Sequence, residues 1–240
     1  MINLRIPTHA NQERTKWPTL ATLRRRHHKT PSSHPPSRAI LCSEMGMVFG
    51  RTGVAEPPFR LVLQTQVYEV RSYDSLVGIE TIMNDESNGF RSLASYIGVM
   101  GNPKNENNQP IAMTAPVAMS GTSVRTMRFY LPEEYKTVGE APIPSQANVK
   151  LVQIPAKSGA AIRFSGWVKK ADEKSQLAKL LTALAKDGVT IDSDFAEEHA
   201  ETFQYNPPFT IPQLRRNEMF LQLTEEQIQT LLKNNKGSEL

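Results

Sequence analysis

Hydrophobic and polar residues alternate in short stretches along much of the chain, the pattern of β-strands that bury one face. Two such stretches, "VYEVRSY" (67–73) and "LVGIETIM" (76–83), stand next to each other early in this region. The dipeptide Asp74-Ser75 between them is typical of a tight turn. The pattern therefore predicts two consecutive strands before the first helix.

A helical pattern follows in "NGFRSLASYIGVMG" (88–101), where apolar residues recur at intervals of three and four. Asn88 is the candidate N-cap, and Gly98 and Gly101 mark the end of the helix. We expect one side of this helix to be buried. Its apolar stripe consists of Phe90, Leu93, Ala94 and Ile97.

The stretch "PIAMTAPVAMS" (110–120) predicts a strand that carries thioethers on its apolar face. Methionine is unbranched and polarizable, so it adapts to irregular surfaces and to aromatic neighbours. Two interpretations stay open, because Met113 and Met119 either face a ligand or fill gaps between a sheet and a helix. Pro116 predicts a bulge, since proline removes a backbone donor. Another strand is expected in "VRTMRFYLP" (124–132).

The same order of elements returns after a connector at 132–146 that is rich in proline. Two strands, at 148–155 and 159–167, precede the clearest helix, "DEKSQLAKLLTALAKDG" (172–188), which Asp172 is expected to cap. Strands in "ETFQYNPPF" and "NEMFLQL" complete the second half. We predict an α+β fold, in which two strand-strand-helix-strand-strand pseudo-repeats form a distorted eight-stranded β-barrel flanked by two α-helices.

Basic charge is concentrated in residues 1–44, which hold eight Lys or Arg and two acids. The remaining 45–240 hold 20 basic and 22 acidic residues, and a nucleic-acid partner is not expected without a basic stripe on the folded part. The composition of 1–44 predicts a disordered tail, read either as a chloroplast transit peptide or as a non-native extension. In the second case Met45 is the native start and the protein is cytoplasmic. After the tail, we predict one domain at 45–224 and a short C-terminal helix and tail at 225–240.

Cysteine and histidine are almost confined to the tail, which contains Cys42 and four of the five histidines. His199 is the one histidine of residues 45–240. A zinc site of Cys and His or a cysteine nucleophile is therefore not predicted there. The sequence also lacks an apolar run of about 18 residues, so a membrane-spanning helix is not expected.

Six stretches, in this order, resemble the SOUL/haem-binding protein family, particularly its plant members. The stretch "IAMTAPV" after an amphipathic helix that ends in "YIG" is fairly specific, and the ordered set is more specific than any one motif. The stretches are "YEVRSY" (68–73), "GFRSLASYIGVMGNP" (89–103), "IAMTAPV" (111–117), "FYLP" (129–132), "YNPPF" (205–209) and "RRNEMFL" (215–221).

The resemblance implies a monomeric carrier that binds haem or protoporphyrin in a shallow apolar cleft beside the first helix. A porphyrin is a flat apolar disc with two carboxylates on one edge, so it requires an apolar floor and cations at the rim. Arg91 and Arg215 are the candidates for the carboxylates, and Arg215 or Arg216 has the alternative of pairing with Glu218. The candidate cleft residues are Met83, Phe90, Leu93, Ala94, Ile97, Met113, Met119, Tyr205 and Phe209.

Firm iron binding in haem proteins uses His, Cys, Met or Tyr as axial ligand. His199 is the candidate axial histidine, but it lies among acids in "FAEEHAETF" (195–203), a stretch that resembles an exposed loop. The sequence therefore favours reversible binding that tolerates metal-free porphyrin. Such binding suits a non-catalytic carrier, buffer or sensor.

Two alternatives stay open at this point. In the first, the protein is an enzyme in which a buried Glu80 near Tyr68 or Tyr96 performs acid–base chemistry on a small hydrophobic substrate. In the second, it is a scaffold that binds a partner through a terminal helix at 224–234, which begins with a capping box.

Overall fold

A computed structural model describes residues 53–83 and 85–236. The predictions for the tail and for a start at Met45 lie outside the described residues. The strands are β1 Arg60–Gln64, β2 Glu69–Tyr73, β3 Leu76–Ile82, β4 Val117–Ser120, β5 Thr126–Tyr130, β6 Lys150–Ile154, β7 Lys157–Phe164, β8 Glu201–Gln204 and β9 Asn217–Gln222. The α-helices are α1 Glu86–Ile97, α2 Lys170–Lys186, α3 Ser193–His199 and α4 Glu225–Lys236.

All nine strands belong to one antiparallel sheet in the order β1-β2-β7-β9-β8-β4-β5-β3-β6. Two residues separate β2 from β3, although these strands lie near opposite ends of the order. The same holds for β6 and β7. Because a two-residue connection cannot cross a flat sheet, the sheet must curl back on itself, and it forms a half-barrel.

The strand order confirms the pseudo-repeat. Exchanging β2 with β6, β3 with β7, β4 with β8 and β5 with β9 reverses the order of these eight strands. The prediction of eight strands, two flanking helices and a short terminal helix was incomplete, because β1 adds a ninth strand at the edge beside β2 and the short helix α3 is also present. Among the described residues the sheet is a half-barrel with β1 and β6 at its ends, and not a closed barrel.

Helix α1 packs against the outer face of β3 and β5, as its apolar stripe predicts. Its N-cap is Asp85, whose side chain accepts a hydrogen bond from the backbone N–H of Asn88, so the prediction of Asn88 as cap was wrong. Gly98 ends the helix in the left-handed conformation, with φ of 89°. The cluster of apolar residues between α1 and the sheet is called the α1 cluster.

Helix α2 covers the outer face of the other half, on β7 and β9. Its N-cap is Lys169, so the prediction of Asp172 as cap was wrong. Asp172 lies inside the first turn, where its carboxylate accepts from the backbone N–H of Lys169 at 3.1 Å. The terminal helix α4 starts with the predicted capping box between Thr224 and Gln227. It buries Ile228 and Leu231 in the same core as α2, which we call the α2 cluster, so its apolar stripe packs on the protein's own body.

The inside of the curl holds a separate core, the inner cluster. Aromatic rings dominate it: Phe203 and Phe220 stack with centroids 5.5 Å apart, and Tyr130 meets the edge of Phe203 at 6.4 Å. The predicted strand at 110–120 contributes to both sides of the sheet, because regular strand geometry begins only at Val117. Ile111 therefore joins the α1 cluster, whereas Ala115 joins the inner cluster.

Candidate functional site

Four of the predicted cleft residues lie in the interior of the α1 cluster. Leu93 and Ala94 have no exposed surface, and Ile97 and Met119 are each 3% exposed. They pack against strand residues such as Phe129, so no open slot lies beneath the middle of α1. The buried part of the α1 stripe, Leu93, Ala94 and Ile97, therefore belongs to the core and does not line a cleft.

Three further predicted residues are half-buried and border the same cluster: Met83, Phe90 and Met113. We call this surface the α1 edge. The ring of Phe90 meets that of Phe129 edge to face, with centroids 5.4 Å apart. Met83 packs over the start of α1, where its Cγ lies 3.1 Å from the position that a Cβ on Gly89 would occupy. The α1 edge therefore offers partly exposed thioether and aromatic groups that pack on the α1 cluster.

The two predicted rim cations differ in their surroundings. Arg91 is exposed on α1, beside Phe90 in sequence. Arg215 is buried, with its guanidinium 3.7 Å from the centroid of the Trp167 ring, and its Nε donates to the carbonyl of Thr210. Arg215 is thus committed to the β8–β9 loop and is not available to a ligand carboxylate. The alternative pairing with Glu218 is made by Arg216, whose Nε lies 3.1 Å from Oε1.

Tyr205 and Phe209 do not lie together on one surface. The Tyr205 ring belongs to the inner cluster, and its hydroxyl donates to Glu218 at 2.7 Å. Phe209 is 60% exposed in the loop that follows. Of these two residues, Phe209 alone is accessible to a bound molecule.

His199 lies at the end of the short helix α3, whereas the sequence predicts a loop. Its ring is exposed, stacks on Phe195 with centroids 4.0 Å apart, and places Nδ1 2.8 Å from the carbonyl oxygen of Phe195. No other residue of the predicted site belongs to this helix.

A small recess opens on the inside of the curl, and its cavity volume is about 10 Å³. That space holds about one water molecule, so it does not accommodate a porphyrin. The recess is lined by Glu56, Pro57, Phe59, Tyr73, Pro116, Tyr130, Phe203 and Tyr205.

The inside of the curl also contains charged side chains that sequence reasoning did not connect. Glu218 is 1% exposed and accepts from Arg71 at 2.6 Å, from Arg216 and from Tyr205. Burial alone would raise the pKa of Glu218, but the hydrogen bond and charge of Arg71, the charge of Arg216 and the Tyr205 hydrogen bond hold the pKa below its ordinary value. The carboxylate is therefore ionised and already fully paired.

A second, partly buried group forms a chain of alternating charge, in which Lys157 alone is buried: Lys157, Glu201, Arg128 and Glu80. Burial lowers the pKa of Lys157, although Glu201 opposes the change. Arg128 alternates with Met127 and Phe129, a pattern that by itself predicts a solvent-facing charge, so the sequence does not mark these side chains as inward-facing. Their partners lie on distant strands, so the pairing itself leaves no local signal.

The acid–base pair that the sequence suggested is not formed. Glu80 binds Arg128 at 2.5 Å. The hydroxyl of Tyr68 donates to Asp187, and that of Tyr96 donates to the carbonyl of Pro142 at 2.7 Å. Glu80 therefore has neither tyrosine as its partner.

The predicted site residues fit a porphyrin only in part. The α1 edge offers an apolar surface with polarizable groups, and Arg91 offers an exposed cation. The buried part of the predicted cleft and the recess do not fit. Within residues 53–83 and 85–236, no group of three or more His, Cys, Asp and Glu side chains is arranged to hold a metal ion. In the same ranges, no helix is both long and apolar enough to cross a membrane.

Comparison with known proteins gives one family. The family model described as SOUL heme-binding protein matches residues 54–222. Comparison with curated proteins gives no match. Two similar solved structures are the C-terminal domain of EcmrR (9% identity, TM-score 0.46) and a hydrolase from Listeria innocua (10% identity, TM-score 0.45). The match to EcmrR covers 65% of this chain and 96% of the EcmrR domain. The match to the hydrolase covers 68% of this chain and 94% of the hydrolase.

Proposed function

The chain belongs to the SOUL heme-binding protein family, and on this basis we propose that it binds haem or a related tetrapyrrole reversibly, without catalysing a reaction. The observation that carries the proposal is the family match over residues 54–222. Reversible binding suits a carrier, buffer or sensor, because such a protein must release its ligand and a strong bond to the ligand would prevent release.

The proposed binding surface is the α1 edge. Phe90 would contact the face of the disc, and the thioethers of Met83 and Met113 would adapt to its outline. Arg91 would pair with a ligand carboxylate at the rim. This surface is shallow, so we expect affinity to come from apolar contact and one or two ion pairs.

Titration with haemin and with protoporphyrin tests the proposal. We expect a saturable Soret change near one equivalent for both, with a Kd in the nanomolar to micromolar range. Similar affinities for the two ligands would indicate that iron is not ligated strongly. A titration without saturation for either ligand would contradict the proposed function.

A matched pair of variants tests the location. Phe90 and Phe164 are both half-buried, but Phe164 packs against the α2 cluster in the other half of the fold. We expect Phe90→Ala to weaken haemin binding about tenfold, because it removes about 1–2 kcal/mol of ring contact. Phe164→Ala should leave the affinity unchanged. Equal effects of the two substitutions would exclude the α1 edge as the site.

A further inference from the structure

Two loops on one side of the molecule form a continuous surface. The first joins β7 to α2, and the second joins β8 to β9. The backbone N–H of Gly166 donates to the carbonyl of Pro212 at 2.8 Å, and the side chain of Asn217 donates to the carbonyl of Gly166 at 3.0 Å. We call residues 165–170 and 205–217 the docking loops.

Large apolar side chains project from the docking loops into solvent. Trp167 is 53% exposed, Phe209 60%, Ile211 39% and Leu214 44%. Single exposed apolar residues are ordinary, but a group of four on two adjoining loops marks an interaction surface. None of the four belongs to the α1 edge.

Contacts within the docking loops hold Trp167 and the loop backbone in place. The guanidinium of Arg215 stacks on Trp167, while Nε and Nη2 donate to the carbonyls of Thr210 and Pro208. The backbone N–H of Arg216 donates to Asn206 Oδ1 at 2.7 Å. A surface braced in this way loses little conformational entropy when a partner covers it.

The charge of the docking loops has one sign. They contain Lys169, Lys170, Arg215 and Arg216, and no Asp or Glu. Arg215 and Arg216 are used within the fold, whereas Lys169 and Lys170 are exposed beside Trp167. The acid next along the chain, Asp172, accepts from the backbone N–H of Lys169. The apolar group is thus bordered by two exposed lysines, and Glu56, an acid that pairs with the second loop, is held by Arg216.

We propose that the docking loops bind the anionic surface of a lipid bilayer. Indole and aliphatic side chains partition into the headgroup region, and adjacent lysines pair with lipid phosphates and carboxylates. The apolar groups project outward on loops, which suits insertion into a soft, negatively charged interface. The inference is independent of tetrapyrrole binding, and either can fail alone.

Fluorescence of Trp167 tests the proposal directly. The full chain contains two tryptophans, so a Trp17→Phe background makes Trp167 the sole reporter. With vesicles of phosphatidylcholine and about 30% phosphatidylserine we expect a blue shift and quenching by brominated lipid chains. Phosphatidylcholine vesicles should give a weaker response. An unchanged Trp167 spectrum with both vesicles would overturn the proposal.

Variants separate the docking loops from the basic tail, which also attracts anionic lipid. Ile211→Ser/Leu214→Ser should reduce vesicle binding at least tenfold, whereas Phe195→Ser, at an equally exposed site on α3, should not. Lys169→Gln/Lys170→Gln should reduce it about 30-fold, whereas Lys179→Gln/Lys233→Gln should not. Equal effects of loop and control variants would contradict the proposal, and so would a dimer that the Ile211→Ser/Leu214→Ser change dissociates.

Discussion

The hydroxyl of Tyr205 donates a 2.7 Å hydrogen bond to Glu218, a carboxylate with 1% of its surface exposed inside the curl of the sheet. Arg71 from β2 and Arg216 from the β8–β9 loop complete the shell around this carboxylate. Side chains from β2 and from the β8–β9 loop therefore meet at one buried charge on β9. Neutralising Glu218 removes this shared partner, although Arg71 keeps Glu69 and Arg216 keeps Glu56. Glu218 therefore connects the inner cluster to β2, the strand next to the edge of the sheet.

We predict that Glu218→Gln lowers the free energy of unfolding by about 3 kcal/mol, because Arg71 and Arg216 lose their shared buried anion and keep only the more exposed carboxylates of Glu69 and Glu56. Urea denaturation measures the change. The control is Glu197→Gln, which breaks the exposed pair with Lys174 and should cost less than about 1 kcal/mol. Equal losses in the two variants would mean that the buried ion pair adds nothing beyond surface charge.

The same carboxylate makes stability depend on pH. Its folded pKa is lower than its ordinary value of 4.5, so it stabilises the fold above about pH 4.5 and this contribution is lost as pH falls through the folded pKa. The difference in free energy of unfolding between the wild type and Glu218→Gln should therefore shrink below about pH 4.5. A difference that is constant from pH 7 to pH 3 would contradict the assignment.

We predict that His199→Ala leaves both the haemin affinity and the position of the Soret band unchanged. The imidazole is exposed at the end of α3, where it stacks on Phe195 and places Nδ1 2.8 Å from the carbonyl oxygen of that residue. Absorption spectra of the two haemin complexes provide the measurement. A shift of the Soret band in the variant would identify His199 as an iron ligand.

Leu231→Ala in α4 should lower the free energy of unfolding by about 3 kcal/mol, because Leu231 is completely buried against the α2 cluster. Gln229→Ala, on the exposed side of the same helix, is the control and should have little effect. Thermal or urea unfolding measures both. If the two changes were equal, α4 would not be an integral part of the fold.

Arg215→Lys should destabilise the docking loops by about 1–2 kcal/mol, since lysine lacks the planar group that stacks on Trp167 and donates to two carbonyls. Acrylamide quenching of Trp167 in the Trp17→Phe background should increase in this variant. Unchanged quenching would indicate that the stacking does not hold the indole.

The sequence predicts the repeated elements well because their signals are local. The stripe of α1 and the leucines of α2 follow the helical period, and the alternation at 67–83 matches β2 and β3. Strand β1 was missed because it is a short edge strand of mixed exposure that directly follows Pro57 and Pro58. Its position depends on pairing with β2, which local patterns do not contain.

The site was predicted less completely, for a physical reason. An apolar stripe has the same sequence whether it faces a core or a cleft, so the burial of Leu93 and Ala94 was not predictable from periodicity. The partners Arg71 and Glu218 are 147 positions apart, and only the folded sheet brings them together. Arg91 and Phe90 remain candidates because the structure leaves them accessible.

The reversed strand order has a consequence for how the two halves depend on each other. Strands β3, β4 and β5 are contiguous, but β2 from the same half lies beside β7, and β6 correspondingly lies beside β3. The first strand of each half, β2 or β6, therefore pairs with a strand of the other half. Fragments produced by cleavage at 132–146 should each stay unfolded alone and regain structure when mixed. Two identical copies of a single half, exchanging their leading strands as a dimer, would already assemble this architecture, so gene duplication and fusion provide a direct route to it.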